Sequence, residues 1–259
     1  MMNPLPMVAA EFRQHLASSL GILVLLAFAC SGTVAVSLAE RGLRQAGVAG
    51  SRDTDLVVGA AGSQINLVLA SGFLQQLEPL PLVDVAILER LQHDPRVAAL
   101  SPLVFADSWQ GLPIVGIGPD FPAIKPTLRL ADGQWPAADF ELVAGADAGL
   151  AIGQRIHGSH GEGEAARAAG QAADHDSHAE TAYTVVGILA PQRSPWDRAL
   201  YTPHTGIWEL HHHEGESHNQ GVSAILVKPA GFAQAYQLKA EYAGSGSTAG
   251  SRQQQQQQQ

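Results

Sequence analysis

The chain has 259 residues, 46% of them apolar, with 15 Lys and Arg against 24 Asp and Glu for a net charge of −9. That apolar content supports one sizeable domain, or two small ones, and excludes a wholly disordered protein. No basic stripe suited to a phosphate backbone exists, which excludes nucleic acid as a partner, and the single cysteine, Cys30, leaves the chain without an internal disulfide, so it is held by its core alone.

Between Arg13 and Glu40 no charged residue occurs, and Leu16 to Ala39 read LASSLGILVLLAFACSGTVAVSLA. As a helix this run covers a hydrocarbon core of roughly 30 Å at about 1.5 Å per residue. Residues 1–15 are therefore expected to form a short cytoplasmic N-terminus, residues 16–39 a transmembrane helix, and everything from residue 40 onward lies on one side of the membrane. A cleaved secretory signal competes with this reading, because Ser37, Leu38 and Ala39 place small residues where a signal peptidase cuts. The apolar run is longer than the usual signal core of about 7–15 residues, however, and Glu11 and Arg13 stand where a basic cluster belongs. A lipoprotein signal at Cys30 fits less well still, because bulky Phe28 lies beside its small-residue position. The positive-inside rule opposes an external domain, since Arg41, Arg44 and Arg52 follow the helix and Arg13 alone precedes it. A large domain nevertheless translocates largely regardless of flanking charge.

Residues 40–54 are polar and Gly-spaced and read as a juncture. Asp55 to Ser63 and Ile65 to Ala70 are two apolar runs bounded by glycines, read as strands or as a strand and a loop. Gly59 and Gly62 do not form a phosphate loop, since no full G-x-G-x-x-G and no Lys-Ser/Thr pair accompanies them. After Pro79 and Pro81, the spacing of Val85, Leu88 and Leu91 predicts a helix that stops at Asp94-Pro95. Val97 to Leu100 comes next, followed by a hairpin from Leu103–Trp109 and Pro113–Gly118 around Gly111. Leu130 to Pro136 reads as a loop, Glu141 to Gly145 as a short strand, and Asp147 to Leu150 as one helical turn.

Tyr183 to Leu189 is the strongest strand, with Thr184, Val185, Val186 and Ile188 β-branched. A short strand over Ala199–Thr202, a helix from Pro203 to Leu210, a strand over Ala224–Lys228 and a final helix over Phe232–Tyr242 complete the domain, residues 40–243. Residues 244–259, Gly/Ser sequence and then glutamines, are expected to be a disordered tail.

Nine of the eleven histidines follow residue 150, grouped chiefly in two polar insertions near 157–180 and 211–218. His157, His160, His175 and His178 stand in two His-x-x-His pairs, and His211, His213 and His218 lie among Glu214 and Glu216. Imidazole with nearby carboxylate suits Zn²⁺, Ni²⁺ or Cu²⁺. Histidines in Gly/Ala-rich sequence also bind metal loosely without a selected role. No His-Glu-x-x-His supports a catalytic zinc, and Ser194 and Ser223 lack a nucleophile-elbow context. No catalytic residue and no required cofactor is therefore expected, and a secreted hydrolase has no support. Trp109, Trp135, Trp196 and Trp208 read as core or loop anchors.

Several segments together resemble the N-terminal part of a bacterial ABC-transporter permease of the MacB/FtsX-like type. They are Asp55–Ser63 with Gln64–Leu69, the Gly111–Gly116 hairpin arm, Phe140–Gly145, and Ala182–Pro191 with Asp197–Thr202. One branch of these permeases is also similar in its His-rich insertion before the Tyr-Thr-Val-Val-Gly strand. The resemblance implies an α+β chain, one N-terminal transmembrane helix followed by a mixed α/β MacB-like periplasmic core domain, single-pass in the inner membrane. It implies a cytoplasmic ABC ATPase subunit and a second permease chain as partners, with a periplasmic protein or lipoprotein as cargo. ATP hydrolysis in the separate subunit would then drive export, lipoprotein release or mechanotransmission. The family pattern continues with three further spans, whereas this sequence passes into Gly/Ser and glutamine, so a fragment or truncated product is expected. A membrane-tethered zinc-binding or sensing module is the alternative from a different class.

Overall fold

A computed structural model describes residues 14–50, 53–60, 62, 64–74, 80–160, 182–211, 221–244 and 248–251. The chain divides into two compact units, Met1–Gln45 and Ala46–Gln259. The glutamines, and the parts of the histidine-rich insertions at 161–181 and 212–220, lie outside the described residues.

Helix α1, Leu16–Gly50, has 35 residues, and Leu16–Gln45 within it is long and apolar enough to cross a membrane. Its apolar side chains are exposed. The Ser31 and Thr33 hydroxyls donate back to the carbonyls of Ala27 and Ala29, at 2.7 and 3.1 Å, which satisfies them without water. The helix does not end at Ala39, and the stretch read as a juncture is helical to Gly50. Glu40, Leu43, Arg44 and Gln45 are good helix formers, and Arg44 pairs with Glu40 one turn earlier at 3.0 Å.

The second unit is built on a mixed sheet. In chain order its elements begin with β1 (Leu56–Gly59), α2 (Gln64–Phe73), α3 (Val85–Gln92), β2 (Val97–Trp109), β3 (Leu112–Ile117), α4 (Phe121–Ile124), β4 (Leu130–Gly133) and β5 (Glu141–Ala144). They continue with β6 (Arg155–Ile156), β7 (Ser159–His160), β8 (Tyr183–Leu189), a 3₁₀ turn (Pro195–Arg198), β9 (Leu200–Pro203) and α5 (His204–His211). The last are β10 (Ala224–Pro229), α6 (Phe232–Gly244) and β11 (Thr248–Ser251). The strand order is β11-β1-β10-β2-β3-β9-β5-β8-β4, with β6 beside β8 and β7 beside β2. The pairs β3–β9 and β5–β8 are parallel and the others antiparallel. This is the mixed α/β domain that the resemblance implied.

Burial follows from which faces are covered. Leu56 and Val58 of β1 join Ile225 and Val227 of β10, Leu88 and Leu91 of α3, Ile207 of α5 and Leu238 of α6. Val57 and Leu226 point the other way, into a core with Leu67 of α2 and Phe121 and Ile124 of α4. Both strands are thus buried on both faces, which is why they read as unbroken apolar runs. β8 is fully buried only at alternate positions, as expected of a strand with one face better covered than the other.

Several expectations for this unit are corrected. Ile65–Ala70 is not a strand but part of α2, whose buried Leu67, Ala70 and Ser71 recur at i, i+3 and i+4, with buried Leu74 just past its end. Val97–Leu100 and the first hairpin arm are one strand, β2, running through Pro102, which lies just outside the β3 register that begins at Leu103↔Ile117. Leu130–Gly133 is an edge strand on β8. Asp147–Leu150 is a non-helical turn, with Gly149 at φ 70°. Where an unstructured tail was expected, the backbone of Thr248–Ser251 pairs with β1. The helix over α3 is as expected: Asp84 caps it by accepting from the Ala86 amide at 2.8 Å.

Candidate functional site

The histidine-bearing segments are attached at one place on the sheet. β2 carries a bulge between Phe105 and Asp107: Phe105 pairs with Val115 and Asp107 with Ile114. The extra residue reverses the face on which the following side chains fall. Asp107 therefore shares a face with Ile114, in a core lined by Tyr183, Leu142 and Ile156, and is buried there. The Tyr183 hydroxyl donates to Asp107 Oδ2 at 3.2 Å.

The first histidine-rich segment begins and ends at this pair. His160, in β7, lies opposite Asp107 across the ladder, with Ser159 opposite Ser108. Tyr183, the first residue of β8, holds the returning chain to the same carboxylate. Gly158 fits between them: a Cβ there would lie 3.3 Å from Asp107 Oδ2, from Ile114 Cδ1 and from Tyr183 Cε2. The second segment leaves from His211 at the end of α5 and returns at Gly221, whose carbonyl accepts from Trp208 Nε1 at 3.2 Å. Two residues on, Ser223 Oγ accepts from the Phe105 amide at 3.2 Å and the Ser223 amide donates to Leu103 O at 2.9 Å. Both segments thus close on β2 between Leu103 and Asp107.

Of the seven histidines singled out by sequence, His157 is exposed in the connection between β6 and β7, His160 is the second residue of β7, and His211 is the last residue of α5. His175, His178, His213 and His218 lie outside the described residues. Among the described residues no group of three or more His, Cys, Asp or Glu could hold a metal ion.

The electrostatics of the neighbourhood follow from burial. The Tyr183 hydroxyl is pushed well above the ordinary tyrosine range, first by burial, then by the Asp107 charge and its hydrogen bond. His204, at the start of α5, meets Ile117 O through Nδ1 at 3.1 Å and packs edge-on against Trp208 at 4.7 Å. Burial holds its pKa below the ordinary value.

A second buried centre lies under α4. The Lys125 ammonium sits 4.6 Å from the Trp196 ring centroid, within cation–π range. Trp196 packs with Phe121 and Tyr201 at 5.7 and 6.1 Å, and the Tyr201 hydroxyl donates to Trp196 O at 2.5 Å. Trp196 is a core residue, and Trp109, Trp135 and Trp208 are partly buried around the cores. Sequence reasoning passed over Asp107, Tyr183 and Lys125. The one available signal was position, since Tyr183 opens the strongest strand directly after the insertion; nothing in the sequence marks the bulge that turns Asp107 inward.

No family model and no curated protein sequence matches the chain. Solved structures do. The periplasmic region of MacB from Actinobacillus actinomycetemcomitans aligns with 80% of this chain and 94% of its own, at a TM-score of 0.52 and 11% identity. The extracellular domain of the noncanonic ABC-type transporter YknZ from Gram-positive bacteria aligns over 75% and 98%, at 0.46 and 10%. A domain of a putative permease protein from Porphyromonas gingivalis aligns over 76% and 86%, at 0.34 and 11%. The first likeness establishes the fold: the second unit is built like the periplasmic region of MacB.

Proposed function

We propose that the chain is a permease subunit, or part of one, of an ABC-type transporter, its sheet domain on the outer side of the inner membrane. The observation that carries this reading is the combination of one exposed apolar helix with a domain folded like the MacB periplasmic region. In this role the chain performs no chemistry. A separate cytoplasmic subunit hydrolyses ATP, a second permease chain completes the assembly, and nucleotide-driven motion passes through the helix into the domain as a hinge or rigid-body displacement. Export, lipoprotein release and mechanotransmission all use that coupling.

The side of the membrane tests it. Ala131 and Arg198 are exposed on the domain. Ala131→Cys and Arg198→Cys, each in a Cys30→Ser background, should react with a membrane-impermeant maleimide in intact spheroplasts. Reaction only after permeabilisation would place the domain in the cytoplasm and end this reading.

A second reading, a membrane-tethered zinc-binding module, is favoured by the common attachment of the two histidine-rich segments. The Leu103–Asp107 stretch of β2 anchors both segments, and this shared point of attachment is what supports an ion held between them. Full-length protein should then bind Zn²⁺ tightly and stoichiometrically in calorimetry. Replacing His157, His160, His175 and His178 by Ala should abolish that binding, and an unchanged affinity removes the claim.

A further inference from the structure

The path from the apolar helix into the sheet passes through a residue with unusual geometry. After α1 ends at Gly50 and before β1 begins at Leu56, Asp53 adopts a left-handed backbone, φ 65°. Asp tolerates that conformation better than most residues and β-branched residues do not. Its carboxylate reaches the turn after α4. There the Thr127 hydroxyl donates to Asp53 Oδ2 at 2.5 Å and the Thr127 amide donates to the same oxygen at 3.3 Å, across 74 positions of sequence.

Both ends of this contact are firmly held. On one side Thr54 is buried and β1 is paired with β10 and β11. On the other, the Lys125 amide donates to Phe121 O at 2.9 Å and the Leu128 amide to Lys125 O at 2.9 Å. The Lys125 side chain is buried over Trp196. Hydrogen bonds to an ionised carboxylate are roughly twice as strong as neutral ones, so the contact joins two well-packed regions through a strong acceptor.

We propose that Asp53 is a force-transmitting clasp. It fastens the chain entering β1 to the Pro126-Thr127 turn, so that a displacement arriving from the N-terminal side reaches β1 and the Lys125–Trp196 centre together. Without it, a pull acts on the first residue of β1 alone and opens its ladder one bond at a time. With it, two separately packed regions must open at once. The permease reading gives this clasp its use, but the coupling is a property of the fold and is measured independently.

Hydrogen exchange on the full chain in lipid nanodiscs tests it. Thr127→Val should speed exchange of the Leu56, Val57 and Val58 amides by about 10- to 100-fold, the consequence of losing a hydrogen bond to a charged group. Asp53→Ala should do the same, the double variant should exchange no faster than either single one, and Thr127→Ser, which keeps the hydroxyl, should restore the original rates. Exchange across β1 left unchanged in Thr127→Val, with only the 125–128 amides accelerated, would overturn the clasp. The maleimide experiment decides the permease reading separately. Coupled exchange in a domain that proves cytoplasmic leaves the clasp standing and the permease reading lost, and uncoupled exchange in an external domain does the reverse.

Discussion

Tyr183 and Asp107 are one contact with two measurable consequences. The hydroxyl is neutral when protonated, and burial raises its folded-state pKa above the ordinary 10.0. The folded chain therefore holds this proton more tightly than the unfolded chain. The stability tied to it is fully present below about pH 10 and is lost as pH rises above that value. Tyr201 acts in the same direction, through burial and then the Asp197 charge. Denaturant unfolding followed by tryptophan fluorescence should show a steep loss of stability above pH 10. Tyr183→Phe should lessen that alkaline loss while costing about 1–3 kcal/mol at pH 7, because buried Asp107 loses a donor. An alkaline profile identical in the two proteins would show that the hydroxyl does not titrate with unfolding. None of this was readable in advance. Asp107 stands in LVFADSW at the same parity as Leu103 and Phe105, and only the bulge turns it onto the other face.

At the scale of elements, the join between β5 and β9 depends on the absence of a side chain. The Gly145 amide donates to Ala199 O at 2.8 Å and the Asp147 amide to Asp197 O at 2.9 Å. A Cβ on Gly145 would fall 2.3 Å from Asp197 O and 2.8 Å from Ala199 O. Backbone on both sides cannot yield as a side chain can. Gly145→Ala should therefore cost about 1–3 kcal/mol and lower the calorimetric Tm by about 2–4 °C for each kcal/mol. Gly158→Ala, which meets nothing closer than 3.3 Å, should cost less, and equal losses would refute the steric account. Sequence patterns identified the elements whose periodicity was unambiguous, β8 by its β-branched run and α3 by the spacing of Val85, Leu88 and Leu91. α2 escaped because an apolar run such as INLVLA has no polar face within it to reveal a period of 3.6. The continuation of α1 escaped because glycines at 42, 47 and 50 argue for an end, while the Glu40–Arg44 pair and the helix formers between them argue for continuation.

At the scale of the molecule, the acidic composition argued against a phosphate-binding surface, and the ordered run of short segments carried the fold by resemblance. The site was only half legible. Clustered histidines are visible in any sequence, but their common attachment on β2 requires the pairings Asp107↔His160 and Phe105 with Ser223, contacts that join positions 53 and 118 apart. Such distances are set by topology, and single-sequence patterns do not reach across them. The same topology governs the order in which the protein can be made. β1 lies between β10 and β11, so the first strand to leave the ribosome pairs with two of the last. Leu56, Val57 and Val58 must wait, apolar and without neighbours, while some 170 further residues are synthesised. At about 5–20 residues per second this interval lasts on the order of ten seconds or more. Non-local closure of this kind is slow in itself, so the newborn chain keeps this apolar strand unpaired through most of its synthesis.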